Sequence, residues 1–442
     1  MTDVVVLVPG IMGSVLKLEE ELIWPGNLIE LRLPYRKMDK LLHPDLKATD
    51  CIRSFVMPVY KAIIDVFDIW GFNEHAGTLV IAPYDWRKSN RESARTLASM
   101  LDRIVAEKGA DAHISLVAHS MGGLVSRYFL ESGEYEASDG WKAVKDLITL
   151  ATPHRGAAVA LPVVAGLEKQ LFLNRAQVKQ LCDDPRYPSA YELLPHSGEP
   201  IAWEAGHHAG IRVMDIYDRN VAARLGLNLA SLAAAASFHS NLNGGRRPAG
   251  VNYFCFAGNG ESTASYIRLI SRVGNVLRPD RVDQKETGDG TVPIWSSTLP
   301  KTPFLYVPGE HGTIFKGYNL QRHLALLLGR EGVLAAGAPH ELSVEPAVVE
   351  HDTPIQIRLI FGADVTKLTG RLVFERITFS PDGNIQGFAS VEGNAVVYQG
   401  PAIDSFLLNI PAPTTSGHYL VAYYDRDAAA PSASAELIVQ ET

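Results

Sequence analysis

Three residues of this 442-residue chain stand in loop settings that suit covalent acyl transfer: Ser120, Asp289 and His311. Ser120 lies in Ala118-His119-Ser120-Met121-Gly122, after the apolar run Ile114-Ser115-Leu116-Val117 and before the helix-like stretch Gly123–Leu130. A serine flanked by small residues two positions away, between a buried strand and a helix, has the sterics of a sharp elbow that lifts the hydroxyl above a sheet. Ala118 stands where glycine is usual and still meets that steric demand. A serine nucleophile also needs a base, an acid to orient the base, and donors for the oxyanion. Gly288-Asp289-Gly290-Thr291-Val292-Pro293 offers the acid and Val307-Pro308-Gly309-Glu310-His311-Gly312 the base, in the chain order serine, acid, histidine. Asp215, Asp218, Asp280 and Asp283 are rival acids, and His323 is a rival base. The backbone N–H groups of Met121 and Ile11 are the expected oxyanion donors. Met12 is the next choice in the loop Pro9-Gly10-Ile11-Met12-Gly13-Ser14.

The elements that must position these residues are legible as short apolar runs alternating with helical patterns. Strands are expected at 4–8, 78–82, 113–118, 146–151, 251–257 and 303–307. Between the second and third, Leu97, Met100, Leu101, Ile104 and Val105 recur at helical spacing behind Ser89 and Asn90, a start signal. Alternation of this kind implies an α/β fold with a mostly parallel sheet covered on both faces. Residues 20–75 and 155–250 are too long for ordinary connections and read as a lid and a cap. A Gly/Ala-rich stretch follows Gly329, and from Glu341 short β-rich runs alternate with turn signals at Asp382-Gly383 and Glu392-Gly393-Asn394. The expected division is therefore 1–335 for the α/β domain and 340–442 for a separable, Ig/fibronectin-like C-terminal β-sandwich.

Bulk properties exclude several classes. With 41 basic and 49 acidic residues the net charge is -8, which disfavours nucleic acid as a partner. Gly10 and Gly13 have neither phosphate-loop nor dinucleotide-fingerprint spacing. His207 and His208 beside Asp215 lack a metal-ligand pattern, so no metal and no cofactor are expected. Cys51, Cys182 and Cys255, odd in number and widely spaced, suit a reducing compartment. The segment Met1–Pro9 lacks the features of an export signal, and a cytoplasmic location is expected. In the lid, Arg32, Arg36, Lys37, Lys40, Lys47 and Arg53 outnumber Asp39, Asp45 and Asp50. That charge either attracts anionic head groups or only solvates a surface insertion.

Four strings make the pattern more specific: Val8-Pro9-Gly10-Ile11-Met12-Gly13-Ser14, Ala82-Pro83-Tyr84-Asp85-Trp86-Arg87, Ala118–Gly123 and Gly288–Val292. With Leu150-Ala151-Thr152-Pro153-His154-Arg155-Gly156 they resemble the lecithin:cholesterol acyltransferase and lysosomal phospholipase A family of α/β-hydrolases. The resemblance covers scattered parts of residues 4–325 and none of the C-terminal hundred. It implies cleavage or transfer of acyl groups on phospholipid esters by Ser120, Asp289 and His311. It also implies a mobile lid with a tryptophan near its start, for which Trp24 is the candidate. The Asp85–Arg87 pair is read as fixing a loop. The partners expected are a lipid or other acyl ester, a membrane surface, and a protein contacting the C-terminal domain. Two alternatives remain: an esterase for small non-lipid esters, and a degenerate hydrolase that only binds.

Overall fold

A computed structural model describes the chain except residues 1, 28–29, 54–58, 200, 205–211, 243–245, 331–340, 381–384, 427, 429 and 442. The side chains of 284–286, 318, 362–364, 392 and 404 are also outside the description. The expected domain junction and the His207/His208 pair fall among those residues. By proximity the chain forms two compact units. One comprises Met1–Trp24, Asp39–Ile52 and Ile63–Phe315; the other comprises Pro25–Met38, Arg53–Ala62 and Lys316–Thr442.

The strands of the first unit run in chain order as β1 (Thr2–Val8), β2 (Ser14–Leu18), β3 (Glu21–Trp24), β4 (Lys47–Cys51), β5 (Leu79–Ile81), β6 (Ala112–His119) and β7 (Val144–Leu150). They continue as β8 (Ala202–Glu204), β9 (Arg212–Val213), β10 (Asn252–Asn259), β11 (Glu261–Arg272), β12 (Val276–Gly288) and β13 (Phe304–Pro308). Six of them build the central sheet, in the order β13-β10-β7-β6-β1-β5, every pair parallel. These are the six strands expected from the sequence. Covering helices make the middle strands apolar on both faces. Val4–Val8 of β1 and Ile114 and Leu116–Ala118 of β6 are buried, each side chain contributing roughly 1.5–3 kcal/mol of burial free energy.

The helix Asn90–Lys108 starts where Ser89 accepts a bond from the Arg91 amide, as the start signal predicts. The helix Met121–Glu131, which follows β6, is buried along its whole length. Its polar side chains are satisfied in place: Ser126 donates to the Gly122 carbonyl, and Arg127 makes a buried, doubly hydrogen-bonded ion pair with Glu131 four residues on.

Two features of this unit lie outside the sequence reading. β3 and β4, in the insertion read as a lid, form a small antiparallel sheet with β2, which precedes it. β11 and β12 form a long antiparallel hairpin, and β8, paired with Ile267–Leu269 beyond the middle of β11, and β9 extend it into a four-stranded sheet.

In the second unit, β14 (Glu341–Glu345), β15 (Val348–Glu350), β16 (Pro354–Phe379), β17 (Ile385–Pro411), β18 (Gly417–Asp425) and β19 (Ala433–Gln440) share one hydrogen-bonded sheet. The sequence suggests separate strands at 355–361 and 371–379, and at 388–391 and 405–410. Instead each pair is one long strand, kinked by register shifts near Ile360 and Val365. The expected turn at Glu392-Gly393-Asn394 runs straight through β17, with Gly393 opposite Val373. An outer strand paired on one side tolerates glycine there without losing a buried contact. Leu342, Ile355, Ile357, Phe374, Tyr419, Val421, Tyr423 and Leu437 are among the residues of a single core. Pro25–Met38 is tied to this unit by β19: the Gln440 side-chain amide donates to the carbonyls of Leu31 and Leu33 at 3.2 and 3.3 Å. The Glu441 amide donates to that of Arg32 at 3.1 Å.

Candidate active site

Ser120 occupies the turn between β6 and the helix Met121–Glu131 with φ 52° and ψ −126°, a left-handed conformation that non-glycine residues rarely adopt. Its amide donates to the Leu150 carbonyl on the neighbouring strand at 2.9 Å, and its own carbonyl accepts from Gly123. The surroundings leave no room for side chains at two nearby positions. A Cβ on Gly122 would lie 2.5 Å from the carbonyl oxygens of Val8 and Pro9, and one on Gly10 would lie 2.9 Å from the Ser120 Cβ. Glycine therefore lets the β1 loop approach the serine from one side and the helix start from another.

Asp289 and His311 converge on this serine. The His311 Nε2 is 2.8 Å from the Ser120 Oγ, and its Nδ1 is 2.9 Å from the Asp289 Oδ2. Asp289 is buried. Its other oxygen, Oδ1, accepts from the amides of Thr291 at 3.0 Å and Val292 at 2.6 Å. The Gly-Asp-Gly-Thr-Val string thus folds into a turn around its own carboxylate and aims one oxygen outward. The His311 amide donates to the Asp289 carbonyl at 2.9 Å, locking the two loops together. Three groups separated by up to 191 residues in sequence form one hydrogen-bonded chain.

The loop Pro9–Ser14 is held from beneath. The Tyr84 hydroxyl donates to the Pro9 carbonyl at 2.7 Å, and the Tyr84 amide donates to the Ser14 Oγ at 3.2 Å. Among the described residues the Ile11 amide has no acceptor, and the Met121 amide opens the helix, where no intrahelical acceptor exists. Met12 has φ 59° and its carbonyl accepts from the Trp24 indole at 2.9 Å. Arg87 is buried with a bidentate bond to Asp85 at 2.8 and 2.7 Å; it also donates to the Leu41 and His43 carbonyls and packs over the Tyr187 ring. Tyr84 and Arg87 thus brace the loops around the serine.

Trp24 departs from the expectation of a docking residue. It is fully buried, packed edge-on against Trp86 and Phe172 with ring centres 5.2 and 5.8 Å away. Its size and its one N–H are used to anchor the Met12 carbonyl, and none of it faces solvent. Two of the lid cations are also neutralised locally, Lys40 by Glu21 and Lys37 by Glu30.

The rival residues lie elsewhere. Asp215 accepts from the Tyr217 amide and Asp218 caps the helix Arg219–Arg224. Asp280 pairs with Arg268, Asp283 with Arg281, and the His323 ring bonds the Asn319 carbonyl one turn away.

His119, inside the elbow string, is a neighbour that sequence reasoning passed over. Its Nε2 donates to the His311 carbonyl at 2.9 Å, and its ring lies 5.1 Å from the His311 ring and edge-on to Phe315. Burial pushes the His119 pKa down to about 3, with the nearby His311 adding to the effect, so it stays neutral beside the serine.

Further away, burial also lowers His239, to about 4; its Nε2 donates to the Glu192 carbonyl. A histidine held neutral contributes stability that is complete above the unfolded pKa near 6.5 and is lost as pH falls towards the folded value. Replacing His239 by glutamine should remove that dependence. Denaturant titrations are expected to show the gap between wild type and His239→Gln shrinking by about 2 kcal/mol from pH 7 to pH 5. A gap independent of pH would mean that His239 is not held neutral.

Known proteins resemble this chain in sequence and in fold. A family profile described as lecithin:cholesterol acyltransferase matches residues 46–225. Lecithin-cholesterol acyltransferase-like 4 of Arabidopsis thaliana is 30% identical over 238 residues, 43% of this chain and 42% of that protein. Human lysosomal phospholipase A and acyltransferase is 28% identical over 123 residues, 27% of this chain and 29% of its own length. The matches thus span less than half the length of either relative. Among solved structures, one described as a Tle4-Tli4 complex aligns with a TM-score of 0.57 at 16% identity, over 74% of this chain and 98% of the other, a likeness of fold. The chain has an α/β-hydrolase fold and resembles the lecithin:cholesterol acyltransferase and lysosomal phospholipase A family.

Proposed function

We propose that this protein is a serine-dependent acyl hydrolase or acyltransferase acting on lipid esters. The observation that carries the reading is the His311 imidazole, hydrogen-bonded at once to the Ser120 Oγ and to the Asp289 carboxylate. In the proposed mechanism His311 takes the Ser120 proton as the Oγ attacks the ester carbonyl. Asp289 holds the imidazole in the tautomer that leaves Nε2 free to accept. The amides of Ile11 and Met121 receive the negative charge that develops on the carbonyl oxygen. Collapse of the tetrahedral intermediate passes the proton from His311 to the leaving alcohol and leaves an acyl group on Ser120. Water or a lipid hydroxyl, deprotonated by the same imidazole, then takes the acyl group. The lipid class rests on the similarity to the two relatives named above, both of which carry acyltransferase in their names.

Labelling with a fluorophosphonate tests the chemistry, because only an activated serine reacts. Mass spectrometry is expected to find the adduct on Ser120, and turnover is expected to be higher on phospholipid vesicles than on a soluble short-chain ester. Absence of any adduct would defeat the enzyme reading and leave the binding-protein alternative. An adduct with preference for the soluble ester would identify a small-ester esterase instead.

A further inference from the structure

The hairpin β11–β12 occupies the chain between β10 and the Asp289 loop, and its function is not accounted for by the chemistry above. Its base is anchored. Ala264, Ile267 and Leu269 are buried, Ile267 pairs with Ala202 of β8, and Glu261 pairs with Gly288 immediately before Asp289. Its tip is not. The strands close through Arg272 opposite Val276, around a turn in which Gly274 and Asn275 have φ 79° and 62°. At that turn Val273 is 100% exposed and Val276 is 50% exposed. An isoleucine or valine at the end of a ribbon gains nothing from water; two at one tip favour an apolar phase.

The charges along the ribbon are sorted. Towards the base, Arg268 is paired with Asp280 and Arg281 with Asp283 and Glu168. At the tip, Arg272 and Arg278 are exposed and have no acidic partner among the described residues. Arg224, on a neighbouring helix, reaches the tip as well, donating to the Asn275 carbonyl at 3.0 Å and to the Ser271 hydroxyl at 3.4 Å. A chain with net charge -8 therefore gathers three arginines without carboxylate partners around two exposed valines. Cations at the rim and aliphatic side chains at the point are complementary to a phosphate-bearing head-group layer above hydrocarbon.

We propose that the tip of the β11–β12 hairpin, residues 271–278 with Arg224, docks the protein on the surface of an anionic phospholipid membrane. The proposal deepens the lipid-ester reading and rests on it for its purpose, since β12 leads directly into Asp289. It also moves surface recognition from the expected lid, where Trp24 is buried, to a segment that joins the central sheet to the site.

The test uses the full chain and vesicles of phosphatidylcholine with or without phosphatidylglycerol, read by co-sedimentation. Wild type is expected to bind the anionic vesicles, to bind neutral ones weakly, and to lose binding as salt rises. The double variant Arg272→Gln/Arg278→Gln should bind anionic vesicles about thirtyfold more weakly, five- to sixfold per arginine. Val273→Asp should weaken binding roughly tenfold, and the fluorescence of Val273→Trp should shift to the blue on anionic vesicles. Turnover of a soluble short-chain ester should be unchanged in all three variants, which establishes that they are folded. Failure of wild type to bind vesicles, unchanged binding by the charge and Asp variants, or no blue shift would overturn the proposal. Because fluorophosphonate labelling reads Ser120 alone, labelling without vesicle binding rejects the docking surface and leaves the chemistry standing. Vesicle binding without labelling does the reverse.

Discussion

Ser120→Ala is expected to give a folded protein whose acyl turnover falls on the order of 10⁶-fold, because it deletes the one atom that forms the acyl bond. The substitution removes only an oxygen from a buried position and leaves the elbow's closing bonds, Ser120 N to Leu150 O and Gly123 N to Ser120 O, as backbone contacts. The strained φ of 52° persists, since alanine is no better suited to it than serine. Thermal unfolding should therefore stay close to that of wild type while fluorophosphonate labelling vanishes. Residual turnover above the uncatalysed rate would come from the Ile11 and Met121 donors, which the substitution does not touch. Near-normal turnover in this variant would mean that another group carries the chemistry.

Asp289→Asn should cost about 10⁴-fold through the geometry of one hydrogen bond. Oδ1 already accepts from the amides of Thr291 and Val292, so the asparagine oxygen must take that position and its NH₂ must face His311. A donor then meets Nδ1, which is itself the donor in the native pair. The imidazole responds by moving its proton to Nε2, the nitrogen that has to accept from Ser120. Asp283→Asn and Asp215→Asn serve as controls. Asp283 answers Arg281 on the hairpin and Asp215 accepts from Tyr217, so each should leave turnover within about twofold of wild type. Strong loss in either control, with Asp289→Asn active, would reassign the acid.

The six central strands were readable because a parallel sheet buried on both faces writes itself as continuous apolar runs. The serine, aspartate and histidine loops were readable because each adjoins such a run and carries small residues with a steric purpose. The hairpin was not. Its buried face mixes polar Thr263 and Ser265 with Ala264, Ile267 and Leu269, and four arginines and Pro279 break up what apolar alternation remains. The burial of Trp24 was not readable because nothing local reveals that Trp86 and Phe172, far away in sequence, enclose it. In the C-terminal unit, Glu392-Gly393-Asn394 has the composition of a turn, yet pairing with Val373 and its neighbours along β16 overrides local preference.

The bonds from Gln440 and Glu441 to Leu31, Arg32 and Leu33 join residues 407 to 409 positions apart. A ribosome releasing about 5–20 residues per second makes the acceptors roughly 20 to 80 seconds before their donors. During that interval the carbonyls of 31–33 lack these donors, and the loop to be closed is about 400 residues long. Pro25–Met38 is thus made well before the β19 partners that hold it. A nascent chain halted before Gln440 therefore carries Pro25–Met38 without these bonds, so release of β19 and docking of that segment are one event.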